Sequence, residues 1–345
     1  MDILMFTPLF HPHIGGVEKH LKRISEELIK KGHNITIITQ KNDNKLLDYE
    51  KIGKIEVYRF QKMKNFRIWI WIYKHRKLIK KSDIIHFHDY GTFIYWFLPF
   101  RFLYPLKKLF ITFHGYEGIL PIPKVVKVWR KISEYLTEGN ICIGTFIPRW
   151  YGTKTDFVSF GGVDEPINHI NFENGSAVYI GRLESDTGIT EYIKALKILK
   201  KKNINLKLDI CGDGSLRHEI TAYIIQNDLN VKIHGYVNDI NPYLIKCSFA
   251  FLSGYLSILE AMINKKLVFS IYSDELRRDY LRSIPNSDEI MIITDSSNEL
   301  ANELLSYYRN PDKRKEKVEK AYEFAREQSW KNLADIYLKL WTLKR

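Results

Sequence analysis

Two rhythms alternate along the 345 residues. Short apolar runs such as Ile3-Leu4-Met5-Phe6 read as buried strands. Between them, apolar residues recur every third or fourth position, as at Val17, Leu21, Ile24, Leu28 and Ile29, one face of an amphipathic helix. That helix closes on Lys30-Lys31-Gly32, with cations at its negative end and glycine after it. The next strand, Ile35-Thr36-Ile37-Ile38-Thr39, completes a βαβ unit. The pattern predicts strands at 2–6, 35–39, 55–59, 83–87, 109–113, 141–143 and 157–159. It continues at 177–180, 206–211, 231–234, 248–252, 267–270 and 290–293. Helices are predicted at 16–31, 67–81, 124–136, 188–202, 215–227, 257–264 and 299–308, with a last one over 316–343. This order argues for an α/β protein with doubly wound parallel sheets.

The chain is long enough for two domains with their own cores. The polar stretch Asp164-Glu165-Pro166-Ile167-Asn168-His169 is the expected linker. Trp330, Ile336, Leu340 and Trp341 near the C-terminus need covering, and folding back onto the N-terminal domain is one way to cover them. No signal peptide or membrane span is expected. Cys142, Cys211 and Cys247 are odd in number and far apart, which fits a reducing cytosol and no metal spacing.

Charge changes the picture. Residues 1–165 hold 27 Lys and Arg against 16 acids, and the remainder 26 against 24. The basic excess belongs to the N-terminal half and asks for an anionic partner. Residues 62–81 carry eight Lys and Arg and no acid, interleaved with Phe66, Trp69, Trp71 and Tyr73. Eight further aromatics lie in 90–104. A solvated helix face and plain packing on a sheet explain part of this. A membrane interface with anionic lipid also fits, because amphipathic rings sit at headgroup level. Single-stranded nucleic acid is the rival, but no nucleic-acid module is recognisable, so no nucleic-acid partner is expected.

Candidate chemistry lies where strands end. The Gly15-Gly16 turn opens a helix, where close backbone approach and the positive helix end favour a phosphate. A ligand-free βα turn is the equal alternative. Tyr179-Ile180-Gly181-Arg182 presents a guanidinium suited to phosphate oxygens, or a surface ion pair. Gly212-Asp213-Gly214 lacks the third glycine of a dinucleotide fingerprint, and a tight turn is its simpler explanation. The stretch Ser253-Gly254-Tyr255-Leu256-Ser257 starts a helix whose N–H groups and hydroxyls would hold a phosphate. Glu260, among apolar neighbours, needs a partner if buried. His86, His88 and His114 end two strands, where open α/β sheets bind ligands, although a lone histidine is more often structural.

Seven of these pieces occur in order: Gly15-Gly16-Val17-Glu18, His86-Phe87-His88-Asp89, Phe113-His114-Gly115, Gly161-Gly162-Val163-Asp164, Gly181-Arg182-Leu183, Gly212-Asp213-Gly214 and Glu260-Ala261-Met262. Across essentially the whole chain this resembles the GT-B retaining glycosyltransferases of family 4. The resemblance implies two Rossmann-like domains facing across a cleft, with a C-terminal helix crossing back to the first. The domains would span 1–165 and 166–327, with 328–345 returning to the first. It implies a nucleoside-diphosphate sugar as donor and no cofactor or metal, in keeping with the absence of any Asp-x-Asp pair. His114, Arg182 and Glu260 would be catalytic. Gly15, Gly16, Arg182, Gly212, Gly214, Ser253, Gly254, Tyr255, Leu256, Ser257 and Glu260 would bind the donor. Gly16 would offer its N–H to the diphosphate, Arg182 would neutralise it, Glu260 would hold the ribose, and His114 would lie near the sugar.

Two positions depart from the family pattern. Thr187 stands where a lysine is usual, and Leu252 where a first glutamate is usual. Arg217, Lys265 or Lys266 would then have to replace the missing cation. The expected activity is transfer to a lipid-linked or cell-envelope glycan, on a cytoplasmic protein peripheral to the cytosolic face of the membrane. A nucleotide-sugar epimerase of the same fold and a non-catalytic subunit of a transferase complex are the alternatives.

Overall fold

The computed structural model describes residues 1–115, 118, 120–166 and 175–343. The chain groups into two compact units, Met1–Gly161 with Trp330–Arg345 as unit 1, and Gly162–Ser329 as unit 2. The expected linker lies inside unit 2 as far as residue 166, and its remainder falls outside the described residues.

Unit 1 is built on strands β1 (Asp2–Phe6), β2 (Asn34–Gln40), β3 (Tyr49–Ile52), β4 (Ile55–Phe60), β5 (Ile84–His88), β6 (Lys108–Phe113), β7 (Gly139–Ile143) and β8 (Phe157–Ser159). Their order is β3-β4-β2-β1-β5-β6-β7-β8, and only β3 runs antiparallel to its neighbour. The sheet reverses its winding between β1 and β5, whose registers align Met5 with His86. Ligands of open α/β sheets bind at such a switch point, beyond the strands' C-terminal ends. β3 has no counterpart among the predicted strands. Its Tyr-Glu-Lys-Ile run is half polar and pairs at the sheet edge through a two-residue turn at Gly53, φ +59°.

The predicted helix over 67–81 is two pieces, Asn65–Lys74 and Arg76–Lys81, broken at His75. The aromatic stretch after β5 forms a π-helical turn, Thr92–Phe97, running into the helix Leu98–Leu103. Phe93, Trp96, Phe97 and Phe100 are core residues, so packing accounts for that part of the aromatic excess.

Unit 2 is built on β9 (Ser176–Ile180), β10 (Lys207–Cys211), β11 (Val231–Gly235), β12 (Phe249–Phe251), β13 (Leu267–Ile271) and β14 (Ile292–Thr294). All are parallel, in the order β11-β10-β9-β12-β13-β14, with the switch point between β9 and β12. Both units are therefore Rossmann-like.

The predicted last helix is also two, Pro311–Glu327 and Trp330–Trp341. The intervening backbone turns aside to pair with Val163, whose N–H donates to the Gln328 carbonyl at 2.8 Å. The second helix belongs to unit 1 and packs on the Gly16–Lys30 helix, burying Trp330, Leu333, Tyr337, Leu340 and Trp341.

Candidate functional site

In unit 1 the strand ends gather four imidazoles. His86 and His88 come from β5, His114 follows β6, and His20 sits on the buried face of the Gly16–Lys30 helix. The Trp341 indole donates to His86 Nδ1 at 3.0 Å. An indole N–H can only donate, so His86 carries its own proton on Nε2 and donates it to Thr112 Oγ1 at 2.8 Å. The Thr112 hydroxyl meets the Tyr337 hydroxyl at 3.0 Å, and Tyr337 meets His20 Nε2 at 2.9 Å.

His88 Nδ1 and His114 Nε2 lie 2.7 Å apart. His88 Nε2 is buried without a partner. A bare lone pair there costs less than a stranded N–H. The network therefore assigns the His88 proton to Nδ1, donated to His114, and leaves His114 with its proton on Nδ1. The His114 backbone N–H donates to Asp89 Oδ1 at 3.0 Å, which fixes the residue after β6. Burial pushes the pKa values of His20, His86 and His88 well below the usual value, and that of His114 down to about 3. The cluster is a set of neutral hydrogen-bonding groups, and His114 can act on a hydroxyl as a donor but not as a cation.

Gly15 caps the Gly16–Lys30 helix in extended backbone, with no side-chain cap. The first-turn Glu18 is 3.0 Å from His13 Nδ1, and its carboxylate occupies the space a Cβ on Gly15 would need.

In unit 2 the glycines have a packing reason. A Cβ on Gly212 would lie 1.8 Å from the Gly181 carbonyl oxygen, and one on Gly214 2.4 Å from that of Leu183. Their absence lets the turn after β10 lie on the turn after β9, tied by Leu183 N–H to Asp213 C=O at 2.9 Å. This seats Arg182, whose side chain is 62% exposed and whose Nη2 bonds Asp186 Oδ2 at 3.0 Å. Arg277, buried, bonds the same oxygen at 2.7 Å. Two guanidiniums thus share one carboxylate.

Thr187 is buried, and its hydroxyl donates within the turn formed by the Arg182 and Glu184 carbonyls, at 3.0 and 2.8 Å. Leu252 is fully buried, and its carbonyl accepts from Ser270 Oγ at 2.7 Å. Both departures from the family pattern are scaffold positions in this chain.

At the end of β12, Ser253 and Gly254 lead into the helix Tyr255–Ile263, on which Leu256 and Ser257 are partly exposed. Tyr255 is an anchor: its N–H donates to the Tyr280 hydroxyl at 3.0 Å, and the two rings stack 4.0 Å apart. The Ser257 hydroxyl donates back to the Gly254 carbonyl at 2.9 Å. Glu260 is half-buried one and a half turns along the same helix. The proposed replacement cations are engaged or distant. Arg217 pairs with Asp213 at 2.5 Å and Lys265 with Glu319 at 2.9 Å. Lys265 and Lys266 follow the helix's C-terminal end, opposite Ser253, and burial lowers the Lys266 pKa to about 8. Arg277, like His20, is a residue that sequence reasoning missed. It lies 95 positions from Arg182, in a helix the apolar pattern did not predict. Among the described residues, no group of three His, Cys, Asp or Glu is arranged to hold a metal.

Residues 14–142 match the model of Glycosyltransferase Family 4, and residues 164–324 that of Glycosyl transferases group 1. The uncharacterized glycosyltransferase MJ1607 of Methanocaldococcus jannaschii is 28% identical over 69% of this chain and 70% of its own. MJ1178 of the same organism is 22% identical over 96% of this chain and 95% of its own. The solved sucrose-phosphate synthase from Thermosynechococcus elongatus shares the fold, with a TM-score of 0.76 over 99% of this chain and 98% of that one at 14% identity. With two tandem family matches and two Rossmann-like units that carry the motifs at their switch points, the chain belongs to the GT-B glycosyltransferases of the family-4 type.

Proposed function

We propose that the protein transfers a sugar from a nucleoside-diphosphate sugar to a lipid-linked or cell-envelope glycan, at the cytosolic face of a membrane. Anomeric configuration would be retained, and no metal would take part. The observation that carries this reading is Arg182, exposed and pre-seated beside the switch point of unit 2. Breaking a glycosyl–phosphate bond builds negative charge on the departing oxygen. A guanidinium already in place neutralises it without reorganising. The N–H groups of Leu256 and Ser257 at the start of the Tyr255–Ile263 helix, with Ser253, suit the diphosphate, and Glu260 suits the ribose hydroxyls. The donor role carried over for Gly15 and Gly16 rests on the same helix-end physics. His114, neutral and with its proton on Nδ1, suits a substrate hydroxyl. Tyr255, Gly212 and Gly214 act by holding these groups in place.

The test is thermal shift with UDP, GDP, ADP and their sugars, with excess chelator. One nucleotide should raise the melting temperature of unit 2, and Arg182→Ala should abolish most of that shift. Turnover in Arg182→Ala should fall about 100-fold. Absence of any nucleotide shift would refute the donor reading. Proton NMR of the product's anomeric signal decides retention. The buried Thr187 and Leu252 favour a second reading, a nucleotide-binding subunit without turnover. A nucleotide shift with no transfer to any envelope lipid or glycan extract would select it.

A further inference from the structure

The helix Asn65–Lys74 has two apolar faces. Ile68 and Ile72 point into the core of unit 1 and are buried. Phe66, Trp69, Ile70 and Tyr73 recur at i, i+3, i+4 and i+7, and each is exposed, at 52%, 36%, 52% and 52%. A helix that only covers a sheet would carry polar residues on that outer side. The Trp69 indole donates to the Tyr95 carbonyl at 2.9 Å, which joins this stripe to the π-helical turn and the segment after it. There Phe102, Leu103 and Leu106 are exposed at 70%, 60% and 95%. Exposed apolar groups on two joined elements mark an interaction surface.

Charge selects the occupant. Residues 57–82 contain no acid, and Lys62, Lys64, Arg67, Lys74, Lys77 and Lys80 are exposed around the stripe. A second copy of the chain would set these cations against their like. Nucleic acid has no use for exposed Ile70, Leu103 and Leu106. Aliphatic side chains, Trp and Tyr rings and flanking lysines together match the layers of an anionic bilayer: hydrocarbon, headgroup level and charged surface. Among the described residues no helix is long and apolar enough to cross a membrane, so the contact lies in the interface plane.

We propose that Phe66, Trp69, Ile70 and Tyr73, with Phe102, Leu103 and Leu106, form a docking face for an anionic lipid surface. The proposal deepens the transferase reading, on which it rests for a lipid-linked acceptor, by naming the face that meets the membrane.

The test is sedimentation of the full chain with vesicles of phosphatidylcholine alone, and of phosphatidylcholine with phosphatidylglycerol in equal parts, at low and high salt. The chain should sediment with the anionic vesicles and be released by salt. Each of Lys64→Gln and Lys77→Gln should weaken binding about fivefold. The double variant Phe66→Ser/Ile70→Ser should lose most of the binding. Its circular dichroism and its nucleotide-induced thermal shift should be unchanged, because both residues are exposed. Lack of sedimentation with anionic vesicles, or equal sedimentation of the double variant, would overturn the proposal. Tighter binding of a labelled single-stranded oligonucleotide, lost in the same variants, would overturn it in favour of nucleic acid. Vesicle binding without any nucleotide shift sinks the transferase reading alone, and the reverse result sinks the docking face alone.

Discussion

Thr187 shows how a single position can look like a gap and be a filled place. Its hydroxyl lies in the turn that carries Arg182, and the side chain is 4% exposed. A lysine there must strip its ammonium of water or break the turn. Thr187→Lys should therefore destabilise unit 2 by about 1–3 kcal/mol and leave nucleotide affinity no better than in the parent. Urea unfolding and nucleotide titration check both halves, and a gain in affinity would mean that the site does lack a cation. The positions of Arg182 and Glu260 were legible in the sequence, because one lies just beyond an apolar strand and the other in the helix that follows one. Arg277 and the sharing of Asp186 were not, since proximity across 91 positions leaves no local pattern. His20 was readable in principle. It falls on the inner face set by Val17, Leu21 and Ile24, where a polar residue asks for a partner. Its partner, Tyr337, is 317 positions away.

Secondary elements were legible where a buried face imposed a rhythm. Every predicted strand has a counterpart in the two sheets. The edge strand β3 and the short helix Glu275–Arg282 have too few apolar positions to signal. The break at Gln328-Ser329 arises from pairing with Val163, far away in the chain, so the helical rhythm ran through it unchecked. Trp330–Trp341 is the element with the clearest consequence. Leu333, Tyr337, Leu340 and Trp341 are each at most 2% exposed, all within unit 1. Full burial of a large apolar side chain contributes about 1.5–3 kcal/mol, and a domain's whole stability is about 5–15 kcal/mol. Ending the chain after Ser329 should thus abolish the cooperative unfolding of unit 1 while unit 2 keeps its nucleotide-dependent transition. Calorimetry of the truncated chain with and without nucleotide would show one transition instead of two. Two preserved transitions would mean that unit 1 does not depend on this helix.

At the scale of the molecule, the two units divide the chemistry unequally, and pH should separate them. Unit 1 buries His20, His86 and His88 as neutral rings, and burial holds their pKa values well below the ordinary 6.5. In the unfolded chain the same residues titrate near that ordinary value. Between the two values the unfolded state binds more protons, so stability rises with pH there and falls as pH drops. The contribution is fully present above the unfolded pKa. Each histidine then removes up to about 1.4 kcal/mol per pH unit as the solution is acidified below it. The described histidines of unit 2, His218 and His234, are not fully buried. The basic excess of residues 1–165 adds self-repulsion on the same side. Acidification from pH 7 to 5 should lower the melting temperature of unit 1 steeply and that of unit 2 much less. Calorimetry across that range, with nucleotide present to mark unit 2, measures the difference. His20→Gln should flatten the slope for unit 1 by roughly one histidine's share even though it lowers stability at neutral pH. Parallel slopes for the two units would mean that the buried imidazoles take up protons in the folded state, and that the network from Trp341 to His20 is looser than its hydrogen bonds imply.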